Sequence, residues 1–112
     1  MPRVDEAALS QALAAVSHVV RRDLLARVRG RPSRVTDLAA DFDISLPAVS
    51  RHLRVLEDAG LVTRRIEGRD HLIEASKQGW QEVADWVERQ SAAWDSRLQA
   101  LKAILEAADG KA

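Results

Sequence analysis

The stretch ISLPAVSRHLRVLEDAGLV, residues 44–62, decides the fold. Ser45 has a side-chain oxygen suited to an N-cap, and Pro47 is tolerated in the first turn of a helix. Val49, Leu53 and Leu56 stand at i, i+4 and i+7, which is one apolar stripe at the helical period. Gly60 is placed to end that helix in a left-handed conformation. The spacing predicts a helix over Leu46–Asp58, whose other face exposes Pro47, Ala48, Ser50, Arg51 and Arg54.

Upstream, Leu38, Ala39 and Phe42 give one apolar stripe, so a short helix is expected over Val35–Phe42, then a brief turn at Asp43-Ile44-Ser45. Gly30-Arg31-Pro32-Ser33 has turn chemistry. It closes a helical segment over Asp5–Val28, broken near Ser17-His18, in which Leu9, Leu13, Val16, Val20, Leu24 and Val28 recur at three- and four-residue steps. Downstream, Leu61–Ile66 is rich in strand formers, Glu67-Gly68 suits a tight turn, and Arg69–Ala75 reads as the returning strand.

From Ser76 to about Ala108 the chain reads as one helix without proline. Trp80, Val87, Trp94, Leu101 and Ala108 stand seven apart, with Val83, Ala84, Leu98, Ile104 and Leu105 between them, close to a heptad seam. About 30 helical residues span ~45 Å. That is longer than a 112-residue globule needs, and it points to a partner copy.

The order helix, short turn, helix, glycine, hairpin is that of a winged helix-turn-helix. The expected class is mainly α (α+β), with a two-stranded wing and a long C-terminal dimerisation helix. One domain is expected over residues 1–112, with the motif over about 35–75 and dimerisation helices over about 5–28 and 76–108.

Net charge is zero, but its distribution is uneven. Six arginines and one acid fall between Arg21 and Arg34, and further arginines stand at 51, 54, 64, 65 and 69. From Leu72 onward seven acids face five bases. In a helix-turn-helix the second helix enters the major groove. Leu46, Pro47, Ser50, Arg51, His52 and Arg54 are therefore candidates for reading DNA. Arg64, Arg65 and Arg69 bracket the wing tip, where phosphate or minor-groove contacts are expected. Leu9, Leu13, Trp80, Val87, Trp94, Leu98 and Leu101 are the candidates for a dimer interface.

The run VSRHLRVLEDAGLV, followed by RRIEGRDH, closely resembles the recognition-helix signature of ArsR/SmtB-type winged-helix repressors. VVRRDLLARV, residues 19–28, resembles that family's second helix, so the resemblance runs from about Val19 to Ala75. WDSRLQALKAIL, residues 94–105, is similar to a subgroup whose last helix carries tryptophan and ends in leucine repeats. The resemblance implies a homodimer joined through its first and last helices, repressing transcription from partly palindromic operators. Many members release DNA on binding metal. Where those members place cysteines, this chain reads Ser33-Arg34-Val35-Thr36-Asp37, and its last helix has no histidine. Leu46 stands where a polar residue often follows the cap.

The chain has no cysteine, which excludes disulfides, thiol catalysis and thiolate metal sites. His18, His52 and His71 lie in three elements without paired spacing, so no metal site and no cofactor are expected. The five glycines form no phosphate-binding loop, and no motif groups Ser, His and Asp, so an enzyme is not expected. No segment approaches the ~20 apolar residues of a membrane span. Met1–Ser10, with Asp5 and Glu6, has no apolar run of leader length, so a cytoplasmic protein is expected. The expected function is sequence-specific binding of double-stranded DNA by a homodimeric repressor not controlled by metal. The alternative is a dimeric protein-binding scaffold without DNA binding. The sequence leaves open a small-molecule effector and a pocket for it beside Trp80, Trp86 or Trp94.

Overall fold

The computed structural model describes residues 4–109, so the expected span of 1–112 extends beyond the described residues at both ends. The helix on which the sequence reading turns is α4, Leu46–Asp58, counting helices and strands separately from the N-terminus. Ser45 Oγ accepts from the Ala48 N–H at 3.2 Å and so satisfies one orphan donor of its first turn. Val49, Leu53 and Leu56 are its buried residues. Before it come α1 (Val4–Ala15), α2 (Val19–Gly30), a short strand β1 (Ser33–Arg34) and α3 (Val35–Asp41). After it come β2 (Val62–Glu67), β3 (Asp70–Ala75) and α5 (Lys77–Asp109).

The break between α1 and α2 falls at the expected place and is capped from both sides. The His18 ring Nδ1 accepts from the Val20 N–H at 3.1 Å, which caps the start of α2. Arg21 Nε donates to the Ala15 carbonyl at 2.6 Å and Arg22 Nη1 to the Val16 carbonyl at 2.7 Å. These guanidiniums cover carbonyls that the end of α1 leaves without helical partners, where positive charge is favoured.

The expected turn at residues 30–33 is shorter than the composition suggested. Ser33 and Arg34 form β1, which pairs antiparallel with β3 at Ser33↔Ile73 and Arg34↔Leu72. The sheet therefore has three strands in the order β1-β3-β2, and the wing hairpin is its outer part. Ile73 and Ser33 face the core, while Arg34, Leu72 and Arg65 share the opposite face.

The core joins Ala12 and Ala15 of α1, Leu24, Leu25 and Val28 of α2, Leu38 of α3, the inner face of α4, and Leu61, Val62 and Ile73 of the sheet. On α1 the small residues Ala12 and Ala15 are fully buried, while Leu13, expected on the apolar stripe, is 37% exposed. Alanine permits the close approach of neighbouring elements and leaves leucine to the rim.

Two glycines set where α5 departs. Gly60 adopts φ +74°, a conformation that costs an L-residue with a side chain, and its carbonyl accepts from the Gly79 N–H at 2.9 Å. A Cβ on Gly79 would lie 2.4 Å from the Ala59 carbonyl oxygen, so only glycine lets the start of α5 pass this close to the end of α4. Val83 is the last buried residue of α5, and everything from Ala84 to Asp109 is exposed. Among the described residues no helix is long and apolar enough to cross a membrane.

Candidate nucleic-acid interface

The outer face of α4 carries Pro47, Arg51 and Arg54, all exposed, with Ser50 half-buried on one flank and His52 half-buried on the other. Leu46 is 48% exposed at the start of the helix. Helical periodicity adds Asp58 to this face at its C-terminal end. Negative charge there leaves the first turns as the part suited to a polyanion.

The wing stands beside this helix, and its arginines are not alike. Arg64, on the inward face of β2, donates from Nε and Nη2 to Glu57 Oε1 at 3.0 and 2.6 Å, and its Nη1 lies 3.0 Å from His71 Nδ1. Arg65, on the outward face, pairs with Glu67 at 2.8 Å and Glu74 at 2.7 Å. Arg69 is exposed and makes no ion pair among the described residues, and the same is true of Arg51 and Arg54. Of the arginines singled out from the sequence, three thus keep uncompensated charge and two are engaged within the protein. Glu57 as the anchor of Arg64 had no signal in the sequence beyond its sign.

The far flank of α4 meets α2. His52 Nδ1 lies 3.5 Å from Arg21 Nη1, and the rings of His18 and His52 approach to 4.7 Å between centroids. Burial, the His18 charge, and the guanidiniums of Arg21 and Arg51 hold the His52 pKa below its ordinary 6.5. Guanidinium and backbone N–H groups can only donate, so Nδ1 of both His52 and His18 accepts, and the proton of each neutral ring sits on Nε2. His71 lies apart, on the wing. Among the described residues there is no group of three or more His, Cys, Asp or Glu side chains able to hold a metal ion.

The residues expected at a dimer interface divide in two. Leu9 and Trp80 pack partly against the core of their own chain, and Leu13 sits at its rim. Val87, Trp94, Leu98 and Leu101 lie on the free part of α5, joined there by Ile104 and Leu105. Trp94 is 62% exposed and Ile104 66%. Trp86, off the heptad seam, is only partly covered.

Residues 18–64 match the profile described as bacterial regulatory protein, arsR family. An HTH-type transcriptional regulator of Mycobacterium tuberculosis is 37% identical over 65 residues, which take in 58% of this chain and 61% of that protein. An ArsR-like transcriptional regulator from Rhodococcus sp. RHA1 superposes with a TM-score of 0.75 at 32% identity, covering 88% of this chain and 92% of that one. The fold is shared more widely. A homodimeric winged helix-turn-helix DNA-binding domain from Mycobacterium bovis superposes with a TM-score of 0.63 at 18% identity, over 78% of this chain and 82% of that one. The chain belongs to the ArsR family of bacterial regulatory proteins, and is a winged helix-turn-helix transcriptional regulator rather than an enzyme.

Proposed function

We propose that this regulator binds double-stranded DNA as a symmetric homodimer and represses transcription from a partly palindromic operator, without control by metal. The observation that carries the reading is the face of α4, where Pro47, Ser50, Arg51 and the uncompensated Arg54 lie exposed or at the edge, clear of the core. Arg51 is positioned for a bidentate contact to guanine, Leu46 for an apolar contact to a thymine methyl, and His52 for the groove edge on the α2 side. The wing lies along the flanking backbone and meets it through Arg69, since Arg64 and Arg65 are engaged by carboxylates of the protein itself.

The uncovered apolar stripe of α5 supports the dimer. A run of exposed tryptophan, valine, leucine and isoleucine over this length is far more than a solvated helix carries. The similar Mycobacterium bovis domain is described as homodimeric, which favours the same assembly here. In this reading residues 1–112 act as one domain, with the motif over about 35–75 and α1, α2 and α5 serving the interface. The absence of cysteine and the engaged Nδ1 atoms of His18 and His52 support independence from metal.

Selection of bound sequences from random DNA, followed by a salt series on the selected duplex, tests the reading. Arg51→Ala is expected to lower affinity and relax specificity at one position of each half-site, with half-sites about 10 base pairs apart or a multiple. Zinc, nickel and cobalt are expected to leave affinity unchanged. A parent protein that binds no duplex in a salt-dependent way would be a scaffold instead.

A further inference from the structure

Between the start of α3, the start of α4 and the wing lies an open cleft of about 290 Å³. Thr36, Ser50, Arg64, Arg69, Asp70 and His71 line it, over a floor that includes Val35 and Leu46. It is too small for a typical drug-sized ligand. Its chemistry suits a single anionic group.

The cations around it differ in what engages them. Arg64 is held by Glu57 and His71, Arg65 by Glu67 and Glu74, and Arg34 lies 3.7 Å from Asp70. Arg69 is the one wing arginine without a carboxylate partner among the described residues. The Thr36 and Ser50 hydroxyls come from two different helices, and neither has a hydrogen-bond partner among the described residues. Arg64 donates to His71 Nδ1, so neutral His71 carries its proton on Nε2 and adds a further donor. The one opposing charge, Asp70, is drawn toward Arg34.

We propose that this cleft seats one backbone phosphate of the bound duplex, held by Arg69 with the hydroxyls of Thr36 and Ser50. This rests on the DNA-binding reading and deepens it. The cleft opens between the recognition helix and the wing, and Ser50 belongs to both the cleft and the reading face. A strand whose bases meet α4 therefore runs its backbone past this opening. Arg69 supplies the wing's contact to DNA, while Arg64 and Arg65 keep the wing in shape. Thr36, which is not among the residues expected to read DNA, becomes a binding residue.

The test uses the whole chain and a duplex recovered by selection from random DNA, synthesised with a single uncharged methylphosphonate at each position in turn. Arg69→Gln is expected to weaken binding about tenfold on matched and mismatched duplexes alike and to lower the salt slope by about one per subunit. Arg65→Gln leaves the slope unchanged. One neutralised phosphate in each half-site weakens the parent to the same degree but costs the Arg69→Gln protein nothing further. Thr36→Val weakens the parent several-fold, and the same neutral phosphate absorbs that loss. If the parent binds with a normal salt slope and no neutralised phosphate couples to Arg69 and Thr36, the cleft assignment is wrong and the DNA-binding reading stands. If the cleft instead takes up inorganic phosphate in free protein, read from the Thr36 and Arg69 amide resonances, without such coupling, its ligand is a free anion and the assignment falls. If the parent binds no duplex, both fall together.

Discussion

Glu57 Oε1 receives two hydrogen bonds from Arg64, at 3.0 Å from Nε and 2.6 Å from Nη2, and so ties the last turn of the recognition helix to the first strand of the wing. Both side chains are about three-quarters covered, so the pair is screened less than a surface bridge. Its role is to fix the angle between the two elements that flank DNA in the proposed complex.

Glu57→Gln and Arg64→Ala are each expected to destabilise the protein by about 1 kcal/mol, with a double mutant that costs less than the sum. Hydrogen exchange should quicken in β2 and β3. DNA affinity should fall for all sequences, without the lower salt slope that follows loss of a phosphate contact. A slope reduced by one per subunit in Arg64→Ala would show that Arg64 reaches DNA itself.

The lowered pKa of His52 makes stability fall as the pH drops below the ring's ordinary 6.5. The folded protein holds this ring neutral below 6.5, where the unfolded chain has begun to take up the proton. The unfolded state therefore binds more protons as pH falls, and stability declines from about 6.5 down toward the folded pKa, then levels off. Above 6.5 the contribution is complete. Urea midpoints measured between about pH 7 and pH 5 should fall more for the parent than for His52→Gln. Equal falls would remove His52 as the cause.

Gly79→Ala places a Cβ against the Ala59 carbonyl, which is backbone and cannot swing aside. The start of α5 must then move, at an expected cost of about 1–3 kcal/mol. Because that junction sets the direction of the long helix, dimer affinity should drop along with stability. Gly30→Ala, where an added Cβ meets nothing within 4 Å, is the control expected to leave both unaltered.

The two parts of α5 should respond differently to substitution. Trp80→Ala removes a residue packed partly on the chain's own core, and is expected to cost about 2 kcal/mol in each subunit. Trp94→Glu with Leu101→Glu alters exposed positions only and should leave the fold intact while yielding monomers. Sedimentation of the two variants at micromolar concentration separates the effects. A native protein that sediments as a monomer would overturn the dimer.

The recognition helix was legible from residues 44–62 alone because its causes are local. A capping serine, a proline in the first turn, a stripe at the helical period and a glycine after the last turn all act within a few residues of one another. The hairpin and the long heptad-bearing helix were legible for the same reason. The residue types of the candidate interface could be read too, since arginines and hydroxyls on the polar side of an amphipathic helix have nowhere else to go.

What the tertiary structure decided is which of those groups meet. Strand β1 sits in a stretch rich in glycine and proline, and it exists because Ser33 finds Ile73 forty residues further on. His18 and His52 share no periodic spacing, yet they face each other because α2 crosses α4. Arg64 and Arg65 are neighbours of one chemical type. The register of the hairpin turns the first inward to Glu57 and the second outward to Glu67 and Glu74, leaving Arg69 without a carboxylate partner among the described residues. Local propensity specifies elements, because it depends on neighbours in the chain. Charge compensation depends on neighbours in space, and those exist only once the elements have packed.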